Sequence, residues 1–188
     1  MIEAVWPGAG VVRQVILVLG GSLLIALAAR IQIPLPFSPV PVTGQTFAVL
    51  LLGALYGSKR GLATVLTYLV LGTLGLPFFA GGAAGLARLA GPTGGYLVGF
   101  LAAAFVVGVL AERGWDRRLW TAAVAMILGN LVIYAAGVAW LARFVGWDAV
   151  LATGVLPFLA GDALKIALAT LLLPAGWKLL RRARPASP

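Results

Sequence analysis

The stretch 155–180, VLPFLAGDALKIALATLLLPAGWKLL, decides what kind of molecule this is. It is an apolar run long enough to cross a bilayer, which needs roughly 20 residues. Inside it lie Asp162 and Lys165. An ionisable residue at the centre of a spanning helix costs about 2.5–3.5 kcal/mol on insertion scales. Two of them three residues apart share one face of a helix and can meet. Charges held at such cost face a cavity or the interior of a bundle and mark a functional site. The alternative is an ion pair that only neutralises itself. Pro157 restricts the residue before it and Gly161 permits close backbone approach, so the start of this helix can be shaped around a ligand.

The rest of the chain agrees with a bilayer as solvent. Of 188 residues, 62% are hydrophobic and 10% charged, against about 25% charged in a soluble domain. Further apolar segments run over 11–29, 46–56, 62–76, 96–110 and 119–144. Together with 155–180 they predict an all-α integral membrane protein of six transmembrane helices in a single domain spanning 1–188. No basic region, short apolar region and cleavage site precede the first segment, so it is expected to belong to the mature protein. The segments at 46–56 and 62–76 are short, which places non-helical chain near membrane depth. Such chain is tolerated where it is buried in protein or lines a cavity. The adjoining loops, 34–45 and 77–95, are rich in Pro and Gly and poor in charge, and are expected to dip into the protein.

The net charge of +9 is spread between and beyond apolar segments, which sets orientation rather than a nucleic-acid footprint. One side receives Arg13, Lys59, Arg60, Arg113, Arg117, Arg118, Lys178, Arg181, Arg182 and Arg184; the other receives Arg30, Arg88 and Arg143. Ten against three places both termini on the cytoplasmic side of a cell membrane. With no Cys and no His, thiol, imidazole and disulfide chemistry are excluded, no metal site is expected and no cofactor is implied. Gly57-Ser58-Lys59 lacks the glycine spacing and the following hydroxyl of a phosphate loop, so energy from ATP has to come from elsewhere.

Asp162 beside Lys165 forms an acceptor next to a donor. A cyclic urea or an amide presents the complement, and pairing with it satisfies both ions without burying net charge. Other polar groups in apolar surroundings are Thr43, Gln45 and Thr46 after the first outer loop, and Asn130 and Tyr134, four apart on one helix face. They are candidates for ligand contact or for hydrogen bonding between helices. Phe37, Phe78, Phe79 and Tyr96 suit an apolar ligand wall or an interfacial aromatic belt. Gly21, Ser22, Ala26 and Ala29 make a small-residue face on the first helix, suited to partner docking or to internal packing. Gly53-x-x-x-Gly57 and Gly95-x-x-x-Gly99 add similar surfaces.

Pro39-Val40-Pro41-Val42-Thr43-Gly44-Gln45-Thr46, Gly91-Pro92-Thr93-Gly94-Gly95-Tyr96-Leu97 and Pro157-Phe158 through Gly161-Asp162-x-x-Lys165 resemble, in this order, the BioY family. These are biotin-specific substrate-binding subunits, or S components, of energy-coupling-factor transporters. The resemblance implies a six-helix fold with a biotin site beneath the loop between the first two helices. It implies Asp162 and Lys165 as holders of the ureido ring and the Thr43–Gln45 stretch as part of a gating loop. The small face of the first helix would dock on a transmembrane coupling subunit, which works with two ATP-binding cassette subunits. The 79–82 and 94–95 stretches are apolar or Gly, leaving Arg88 as the candidate anchor for the biotin carboxylate on charge alone. Two other readings stay open: a membrane enzyme using the Asp162–Lys165 pair as acid and base, and a subunit binding another vitamin.

Overall fold

A computed structural model describes residues 1–183 apart from 7 and 9; Arg184 of the charge count lies outside the described residues. The helices are α1 (Ile2–Val5), α2 (Val11–Ala28), α3 (Gln45–Tyr56), α4 (Ser58–Thr73), α5 (Leu86–Ala90), α6 (Gly94–Glu112), α7 (Leu119–Val145), α8 (Trp147–Gly154) and α9 (Leu159–Ala183). Four spans are long and apolar enough to cross a membrane: Val11–Ala28, Gly94–Glu112, Leu119–Val145 and the α8–α9 stretch Trp147–Arg182. Each of the six apolar segments falls largely within a helix, and four of these helices belong to the spans just named. As the segment lengths foretold, α3 and α4 are short, with 12 and 16 residues, so α3 rises only about 18 Å.

The stretch 34–45, expected as an irregular loop, is instead a β-hairpin. Strands β1 (Gln32–Leu35) and β2 (Ser38–Thr43) pair antiparallel, Gln32 opposite Thr43 and Ile33 opposite Val42, with an irregularity at Pro34. A two-stranded ribbon has two free edges, which is where prolines without an N–H are tolerated; Pro39 and Pro41 are therefore no bar to pairing. The hairpin is tied down at one end by Ser38 Oγ, which donates to the Thr153 carbonyl of α8 at 2.6 Å. Helix α8 itself was not foreseen, because its eight residues were read as a connection. The second outer loop contains a 3₁₀ turn at Ala80–Gly82 and the short α5.

Helix α6 lies at the centre, against α3, α4 and α7. Glycine makes this approach possible. A Cβ on Gly95 would stand 2.5 Å from the Ala136 carbonyl oxygen of α7 and 2.3 Å from Trp140 Cβ, and one on Gly53 would stand 2.8 Å from the Ala104 carbonyl of α6. The small face of α2 is also an internal seam. A Cβ on Gly21 would meet Thr64 Cγ2 at 2.7 Å, and Ser22, Ala26 and Ala29 are buried. The docking role expected of Gly21, Ser22, Ala26 and Ala29 thus falls on residues that this fold buries, Gly21 against Thr64 of α4; lipid supplies no hydrophobic drive between helices, so small residues that permit close packing hold such a seam. Its outward stripe is Val12, Ile16, Leu19, Leu23 and Leu27, all exposed. Such a helical stripe of aliphatic side chains on the outside suits lipid.

Two of the basic residues assigned to one side, Arg13 and Arg60, come together in the structure. Arg60 and Arg13 both pair with Glu3, and the Arg60 bond holds the Glu3 carboxyl below its ordinary pKa. Glu112 accepts from the Ser58 N–H at 2.7 Å and satisfies the first turn of α4. Trp177 Nε1 donates to Asp116 at 2.5 Å, fastening α9 to the α6–α7 connection.

Gly95→Ala should destabilise the protein by about 1–3 kcal/mol through overpacking. Gly20→Ala, where a Cβ meets nothing within 4 Å, should leave it unchanged. Thermal unfolding in detergent compares the two.

Candidate functional site

Below the hairpin the elements form a partly open cavity, concave and mostly apolar as small-molecule sites are. Three groups of elements wall it. The hairpin and the start of α3 contribute Val40, Pro41, Thr43, Gln45 and Thr46; the second outer loop contributes Ala80, Arg88 and Thr93. Helices α6, α7 and α9 with the turn before α9 contribute Tyr96, Leu97, Phe100, Asn130, Ile133, Tyr134, Phe158, Asp162 and Lys165. The lining is mostly apolar, with polar groups on a few elements only.

The pair read from the sequence is formed. Lys165 Nζ lies 3.0 Å from Asp162 Oδ1, with Asp162 only 5% exposed. Each ion has a second partner from another helix. The Tyr134 hydroxyl of α7 donates to Asp162 Oδ2, and Lys165 Nζ donates to Thr46 Oγ1 of α3 at 3.0 Å. A buried ion pair survives when further hydrogen bonds satisfy what the pair leaves over, and here α3 and α7 supply them. The ammonium has three donors and two are used, so one remains.

The Thr43–Gln45 stretch is a local knot. Thr43 Oγ1 donates to Gln45 Oε1 at 3.1 Å and accepts from the Gln45 N–H at 3.3 Å. Gln45 Nε2 donates to the Tyr68 hydroxyl. This links the base of the hairpin to α4. Tyr68 went unnoticed in the sequence, although the one phenol in the apolar 62–76 run was a signal. The Tyr96 hydroxyl is committed to the Gly154 carbonyl at 2.7 Å, and Phe158 leans on the Tyr96 ring. Tyr96 therefore serves the cavity with its ring. Arg88 has no ion-pair partner among the described residues.

Eight of the nine expected ligand residues, Thr43, Gln45, Arg88, Tyr96, Asn130, Tyr134, Asp162 and Lys165, thus meet in one cavity. Phe79 does not join them. It is fully buried against Gly72 and edge-on to Tyr68, so it backs the wall instead of lining it. Phe78 stacks on Tyr68, and Phe37 stands 60% exposed near the hairpin turn. The aliphatic part of the wall was missed because Leu97, Ile133 and their like are indistinguishable from core by residue type.

Lys165→Met should cost about 3 kcal/mol of stability in the ligand-free protein by stranding the Asp162 carboxylate, and adding Asp162→Leu should recover most of it. Thermal unfolding of the three proteins checks this.

Comparison with known proteins gives a consistent answer. The BioY family model matches residues 3–182. A protein of Pyrococcus horikoshii named as a probable biotin transporter BioY is 43% identical over 152 residues, 80% of this chain and 90% of that protein. The biotin transporter BioY of Rhizobium etli is 39% identical over 166 residues, 84% of this chain and 89% of that protein. The crystal structure of the S-component for biotin from an ECF-type ABC transporter superposes with a TM-score of 0.79 and 25% identity, covering 89% of this chain and 92% of that one. With the family model matching nearly the whole length and relatives about 40% identical over four fifths of it, this chain belongs to the BioY family.

Proposed function

We propose that this chain captures biotin at the outer face of the cell membrane and delivers it for import as the S component of an energy-coupling-factor transporter. The observation that carries this reading is the neutral, doubly supported Asp162–Lys165 pair in a largely apolar cavity that also holds an unpaired Arg88. Biotin is a cyclic urea fused to an apolar ring, with an aliphatic chain ending in a carboxylate. Its ureido N–H and C=O suit Asp162 and Lys165, its rings and chain suit Tyr96, Phe100 and Phe158, and its carboxylate suits Arg88. The enzyme reading gives way, because the relatives in the family are transporters by name.

Six crossings, including the short α3 and α4, and both termini in the cytoplasm complete the proposal. The clustering of Arg13, Arg60 and Glu112 at one end of the bundle and of the hairpin, Arg30 and Arg88 at the other supports it. The absence of a phosphate loop supports partners that supply ATP hydrolysis: a transmembrane coupling subunit and two ATP-binding cassette subunits.

Radiolabelled biotin should bind the purified protein tightly and one to one. Asp162→Asn and Lys165→Ala should each weaken it about 30-fold or more, the cost of breaking a buried charged hydrogen-bonded pair; unchanged affinity in both sinks the reading. Arg88→Gln should weaken biotin about tenfold and leave biotin amide unaffected. For topology, the chain has no Cys, so single cysteines report cleanly. In intact cells an impermeant maleimide should label Phe37→Cys and reach Lys59→Cys only after permeabilisation.

A further inference from the structure

Asn130 is 6% exposed and lines the cavity, yet its Oδ1 has no hydrogen-bond partner among the described residues. Leaving a buried amide oxygen unpaired costs about 1–3 kcal/mol. Its surroundings offer it no protein partner, although Tyr134, one turn further along the same face of α7, is bonded to Asp162. The α7 face that carries Asn130 is therefore the face that meets the ligand pair of α9.

The hydrogen-bonding capacity left over in the empty site has a definite form. On α9 there is one unused ammonium proton on Lys165 and spare lone pairs on Asp162. On α7 there is an amide, a C=O beside an N–H, which can turn over to exchange the two. A cyclic urea has two edges, each an N–H beside the shared C=O. Resting on the biotin reading, we infer that the Asn130 amide pairs with one N–H/C=O edge of the ureido ring while Asp162 and Lys165 pair with the other. The site then reads both ring nitrogens and requires each to carry its proton.

The test measures binding of biotin and of its two isomers bearing a single methyl on one or the other ureido nitrogen, to the wild-type protein, Asn130→Ala and Asn130→Ser. Two lost hydrogen bonds predict that biotin weakens about 10–100-fold in both variants. One isomer, methylated on the nitrogen that faces Asn130, should bind wild type weakly and lose little more in the variants. The other should lose as much as biotin does. Unchanged biotin affinity in the variants overturns the inference, as does an equal further loss for both isomers. Asn130 and Lys165 also border a smaller pocket of about 190 Å³. Equal losses with a lowered melting temperature of the ligand-free protein would put the amide on a trapped water there, and would overturn the inference too. If wild type binds no biotin at all, the biotin reading itself falls; if it binds through Asp162 and Lys165 but ignores Asn130, only this inference does.

Discussion

A carboxylate and an ammonium ion inside an apolar bundle have to be neutralised and hydrogen-bonded before the helices around them can close. In this chain the requirement falls on Asp162 and Lys165, and it organises three helices. Helix α9 brings the two ions together by their spacing, α7 reaches one with Tyr134, and α3 reaches the other with Thr46. Breaking any one contact leaves a charge in apolar surroundings short of partners. The arrangement is thus both a support of the hairpin end of the bundle and a site that a neutral polar ring can join without adding net charge.

Thr46 has a second consequence by position. It follows directly on the Thr43–Gln45 knot at the base of the hairpin. The same short segment therefore touches the ion pair, forms part of the cavity wall and carries the hairpin that covers it. The hairpin's other end is fastened to α8 through Ser38. A ligand that draws on the free donor of Lys165 sits one contact away from both the wall and its cover.

Close helix packing makes the cavity possible at all. Gly95 and Gly53 let α7 and α3 approach α6 to backbone contact, and α9 completes the cavity wall with Asp162 and Lys165. Small residues therefore build the interior here. The outward faces of α2 and α9 carry exposed Leu, Ile and Val side chains, the composition that lipid selects.

Much of this was legible in the sequence by itself. Hydropathy marked the apolar helices, four of them long enough to cross a bilayer, since a bilayer demands uninterrupted apolar runs. The spacing of Asp162 and Lys165 foretold their pairing, and isolated polar residues in apolar segments pointed to Thr43, Gln45, Asn130 and Tyr134. Other features were decided only by the tertiary structure. The hairpin is one, because its prolines argue against a strand until the ribbon is seen to have free edges. The burial of Gly21, Ser22, Ala26 and Ala29 is another, since a small-residue face reads the same whether it meets a partner or a neighbouring helix. Phe79 and Tyr96 were equivalent as aromatic residues, and only packing put one behind the wall and the other in it. Local spacing is carried along one chain segment, whereas which face meets which neighbour depends on contacts between segments far apart in sequence.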